Sequence, residues 1–84
     1  MNPRPVDVRP LEGYRLLVTF QNDERRIFDM SSLLDLPMYQ KLKNKGLFSL
    51  AKADGMCVFW NDEIDLCPDM VYTDSIPAEN MKPE

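Results

Sequence analysis

No histidine occurs among the 84 residues, only two cysteines do, and glycine appears three times. Without histidine the chain lacks the side chain most used as a general base and metal ligand near neutral pH. Cys57 and Cys67 alone are too few for a disulfide scaffold, and too few for a zinc site without histidine. Glycine so sparse leaves no phosphate-cradling loop. The longest apolar run is Met56-Cys57-Val58-Phe59-Trp60, far short of the roughly 20 residues of a membrane span or the about 7–15 of a signal peptide's apolar region. These absences predict a cytoplasmic protein with reduced cysteines, no membrane segment, no cofactor and no catalytic site.

What is present is an ordinary globular composition, 44% hydrophobic and 29% charged, clear of the signature of disorder. A chain of this size makes one domain, and folding hides only about 60–65% of the surface of the unfolded chain. It is expected to fold alone or as a homodimer. Residues 1–76 form that domain, and 77–84, without periodicity, read as a mobile tail. Charge divides along the chain: residues 1–52 carry a formal +3 and residues 53–84 a formal −7, for a net charge of −4. That balance argues against nonspecific nucleic-acid binding, which needs clustered Lys and Arg.

Val6 and Val8 alternate with Asp7 and Arg9, and Tyr14, Leu16, Val18 and Phe20 repeat with period two, so both segments read as strands. Gln21 to Glu24 supply a turn and Arg25 to Met30 the returning strand. A loop pairing Phe20 with Arg26 gathers Phe28 and Met30 onto the face of Leu16 and Val18; a two-residue loop moves them to the other face. The first is favoured. Ser31 or Asp29 caps a short helical turn through Leu33 and Leu34, which Pro37 ends. A second helix runs from Met38 to Lys43 and closes on Gly46 as a left-handed cap. Leu47 to Ala53 reads as a strand, with Asp54-Gly55 turning it into Cys57 to Trp60.

A three-residue loop of Asn61, Asp62 and Glu63 then sets Trp60 opposite Ile64, Val58 opposite Leu66 and Cys57 opposite Cys67. Trp60, Val58, Ile64 and Leu66 fall on the core side, with Phe59, Asp65 and both cysteines on the reverse. Pro68 at the first helical position, followed by Asp69, starts a helix through Tyr72. The architecture expected is α+β: a small, mainly antiparallel sheet of five or six short strands with two or three short helices packed on one face.

Leu16-x-Val18-x-Phe20 before a polar turn, Phe28-Asp29 entering Leu33-Leu34, then Leu42, Phe48, Gly55, Val58-x-Trp60 and Asp65-Leu66-x-Pro68-Asp69 with Tyr72 form a combined pattern. Over about residues 6–74 the chain resembles the domain-of-unknown-function family 2442, small bacterial and phage proteins. It departs at Asp23, where a turn glycine is common, and at Cys67, where a small hydroxyl cap is common. The resemblance implies an α+β domain without established activity. It also implies a setting like that of toxin–antitoxin or regulatory pairs, since members are sometimes fused to a helix-turn-helix domain or encoded beside another small protein.

The acidic group Asp62, Glu63, Asp65 and Asp69 lacks the alternating oxygen ligands of a calcium loop and reads as a solvated turn and helix cap. Cys67 before a helix N-terminus has acidic neighbours that oppose a thiolate. Arg25, Arg26, Lys41, Lys43 and Lys45 form a candidate basic patch, on which the alternative reading, a nucleic-acid-binding regulator, rests. Phe59 alternates away from the core beside Asp65 and the acidic turn, an apolar centre with a charged rim. The candidate partner-binding residues are therefore Phe59, Asp62, Glu63 and Asp65. The function expected is regulatory binding of another small protein, antitoxin-like or adaptor in kind.

Overall fold

A computed structural model describes residues 2–61 and 63–78. Three long strands open the chain: β1 (Pro5–Leu11), β2 (Arg15–Phe20) and β3 (Arg25–Asp29). Two short 3-10 segments follow, Ser31–Leu33 and Pro37–Lys43. Helix α1 is a single turn (Lys45–Phe48), and strands β4 (Lys52–Ala53), β5 (Val58–Phe59) and β6 (Asp65–Leu66) lead to helix α2 (Pro68–Thr73) and strand β7 (Ile76–Pro77). The α+β class holds, but the single sheet of five or six strands does not. Two antiparallel sheets form, β1-β2-β3-β7 and β4-β5-β6. The alternation visible in sequence marks buried faces without saying which strands share hydrogen bonds, and β7 is too short to show alternation at all.

In the larger sheet Leu16 faces Phe28 and Val18 faces Arg26, so the favoured face assignment stands while its pairing moves by two residues. Phe20 closes the loop with Glu24, donating its N–H to the Glu24 carbonyl at 2.8 Å, not with Arg26. The shorter loop, Gln21-Asn22-Asp23, works because Asp23 adopts φ 69°, the left-handed residue that completes a three-residue hairpin. Asn22 Oδ1 also accepts the Glu24 N–H at 3.1 Å.

Between the sheets the chain differs more from expectation. Asp29, not Ser31, serves the first 3-10 turn, its Oδ1 accepting the Ser31 N–H at 2.8 Å. Pro37 starts the next segment rather than ending the previous one, a first-turn position where its missing N–H costs nothing. Gly46 is no left-handed cap; it lies inside α1, which Asn44 opens by accepting the Leu47 N–H at 3.2 Å. That cap turns Leu47 and Phe48 into a helical turn instead of the start of a strand, and only Lys52–Ala53 remain extended. The Asp54-Gly55 turn is present: Asp54 Oδ1 accepts from the Met56 and Cys57 N–H groups, and Gly55 has φ 86°.

All these elements pack on one side of the larger sheet. Leu16, Val18, Phe20, Phe28 and Met30 meet Leu34, Tyr39, Leu42 and Phe48, and also Val58, Trp60, Ile64, Leu66 and Val71, in one cluster. The Trp60 indole N–H donates to the Phe48 carbonyl at 2.9 Å, which satisfies the polar end of a buried ring and ties the small sheet to α1. The tail expected from residue 77 onward falls, from residue 79, outside the described residues. No described helix is long and apolar enough to cross a membrane.

Candidate interaction surface

The β5–β6 hairpin forms as its sequence specifies. Val58 pairs with Leu66 and Phe59 with Asp65, and the Trp60 N–H donates to the Ile64 carbonyl at 2.9 Å. Asn61 organises the loop, its Oδ1 accepting the Glu63 and Ile64 N–H groups at 2.8 and 3.0 Å. With Val58 and Leu66 fully buried, alternation turns Phe59 and Asp65 to the outer face of the small sheet. Lys52 pairs with Phe59 from the other side. The phenyl ring, half-buried rather than fully exposed, therefore lies between a cation and a carboxylate in register. Glu63 is exposed and 3.9 Å from the Lys41 ammonium; Asp62 lies outside the described residues.

Behind this surface Tyr39 donates its hydroxyl to the Asp65 carbonyl at 3.1 Å. Burial, then the charges of Asp65 and Cys67, raise its pKa, so the phenol stays protonated. Burial, with Asp54 and Asp65 adding to it, also raises the Cys57 thiol above its ordinary value against the opposing Arg4. Both cysteines are free, Cys57 half-buried and Cys67 exposed. A thiol held protonated is a poor nucleophile. Among the described residues no three Cys, Asp or Glu side chains come together as metal ligands.

The basic set does not converge. Arg26 turns toward the core side, where its Nε donates to Ser75 Oγ at 2.7 Å and an Nη donates to the Ser75 carbonyl at 2.7 Å. Its guanidinium also pairs with Glu24 at 3.3 Å and covers the Tyr72 ring at 4.9 Å. Arg25 points the opposite way and is exposed, while Lys43 pairs with Asp35 at 3.2 Å. Lys45 lines a shallow groove of about 600 Å³ with Leu11, Tyr14, Phe48 and Ser49. Tyr14 holds φ 59° there, its hydroxyl bonded to the Lys43 carbonyl and its ring edge-on to Phe48. Two further arginines, Arg9 and Arg15, lie on the same outer sheet face as Arg25. Odd-numbered positions alternating against the core pattern were the signal for them.

A family model described as a protein of unknown function, DUF2442, matches residues 5–77, from the start of β1 to the end of β7. The chain belongs to the DUF2442 family. Neither a curated protein nor a solved structure matches it. The span matched to DUF2442 covers both sheets.

Proposed function

We propose that this chain is a regulatory protein-interaction module that binds another small protein through the outer face of its small sheet, in an antitoxin-like or adaptor role. The observation that carries this reading is Phe59, an aromatic ring on a non-core face with Lys52 and Asp65 paired directly beside it. An apolar centre within a charged rim is the anatomy of a protein interface, and aromatic side chains dominate binding energy there. The −7 of residues 53–84 favours a basic partner and speeds its encounter.

The test is capture from the source lysate by tagged chain, nuclease-treated, at two salt concentrations, followed by titration with the purified partner. A stoichiometric protein whose affinity falls at least about tenfold with Phe59→Ala, with a smaller, salt-sensitive loss for Asp65→Ala, is the expected result. Recovery of nucleic acid in place of protein, or a partner indifferent to both substitutions, overturns it.

A further inference from the structure

The larger sheet packs its core through one face only. Its other face carries a row that crosses every strand: Arg9 pairs with Leu17, Leu17 with Ile27, and Ile27 with Ile76. Neither Leu17, Ile27 nor Ile76 belongs to the core cluster or packs against it. Ile27, 5% exposed, is already buried within the chain, so the apolar surface the row offers comes from half-buried Leu17 and from Ile76, 54% exposed. Flanking this aliphatic centre, Arg15 pairs with Asp29 on one side and Thr19 with Arg25 on the other. Among the described residues neither Arg9, Arg15, Arg25 nor Asp29 takes part in an ion pair.

We infer that this face is an interface between two copies of the chain, packed sheet against sheet. The pattern is self-complementary about a two-fold axis running along the strands between β2 and β3. Such an axis lays β2 of one copy over β3 of the other. Leu17 then meets Ile27 of the second copy, Arg15 meets Asp29, and Arg25 meets Thr19, each contact repeated reciprocally. Arg9 comes over Ile76, and no like charges face each other. An axis across the strands instead lays Arg25 over Asp29 but sets Arg9 on Arg9 and leaves Arg15 over Thr19, which makes it the poorer arrangement. Three strands of five residues or more with the two-residue β7 beside them give a footprint of at most roughly 19 by 17 Å, below the size of stable specific interfaces, so the dimer is weak and reversible.

Sedimentation equilibrium from about 10 μM to about 1 mM reads this directly. The wild-type chain is expected to dimerise within that range, and Arg15→Asp to weaken the dimer at least about tenfold by setting two carboxylates face to face. Asp29→Arg does the same, and the double swap restores association. Because Asp29 also accepts the Ser31 N–H, Leu17→Lys serves as a disrupting substitution that leaves that turn intact. Phe59→Ala leaves the dimer unchanged, so loss of the partner surface and loss of this interface are separately visible. A wild-type chain that stays monomeric throughout, or a dimer indifferent to both Arg15→Asp and Leu17→Lys, overturns the inference.

Discussion

At Asp23 the backbone adopts φ 69° on an exposed hairpin tip. A left-handed conformation costs an L-residue about 1–2 kcal/mol, and glycine avoids it at about 0.4–1 kcal/mol of extra unfolded-state entropy. Asp23→Gly is therefore expected to stabilise the chain by about 0.5 kcal/mol in urea denaturation. Tyr14 shares the conformation but not the outcome. Its ring and hydroxyl are both engaged, so Tyr14→Gly destabilises.

Glu24 is the other residue with a measurable consequence. Its carboxylate accepts the Tyr72 hydroxyl at 2.7 Å, and that bond, followed by Asn22 and Arg26, lowers its pKa. Stability from this group is present above its unfolded-state pKa and lost as pH falls through the folded one. The same bond raises the pKa of Tyr72, so its share is present below the unfolded-state value and lost as pH rises through the folded one. Tyr72→Phe is expected to flatten both limbs of the stability profile, measured by denaturation from about pH 3 to about pH 11.

Among the elements, α2 begins on Cys67, whose side chain caps nothing. Cys67→Ser supplies an acceptor for a free first-turn N–H and is expected to add about 0.5–1 kcal/mol, read from the denaturation midpoint. Asn61→Ala takes the opposite direction, since one oxygen holds two loop N–H groups, and costs about 1–2 kcal/mol. The β5–β6 hairpin was legible in its three-residue loop and in the pairing of Val58 with Leu66, because that loop sets Trp60 against Ile64 on the core side, whereas the expected pairing of Cys57 with Cys67 lies beyond the two-residue strands. The segment from Leu47 to Ala53 was not legible. Its apolar residues fit a helical turn and a strand equally well, and the Asn44 side chain decides between them. Phe59 could be placed on its face from alternation, but the pairing of Lys52 beside it depended on the strand that this segment obscured.

For the whole molecule, the closing contacts are those of the last elements. β7 pairs with Arg26 and Ile27 through residues some fifty positions away in sequence, and Ser75 receives Arg26 there. Sheet β1-β2-β3 is held by much longer ladders. The α2–β7 end is therefore expected to open as a unit below the global unfolding free energy. Native-state hydrogen exchange checks this: Ile76 and the α2 amides exchange together and faster than those of Leu16 and Val18, and Arg26→Met widens the gap.

Trp60 is the single tryptophan, 6% exposed and bonded to the Phe48 carbonyl. Its fluorescence is thus a built-in optical gauge of the joint between the small sheet and α1. Because Phe59, one residue earlier, points to the opposite face, a partner docking there leaves the emission maximum in place, whereas separation of the small sheet from α1 shifts it to the red. A red-shifted spectrum therefore reports failure of the scaffold whether or not the surface is occupied.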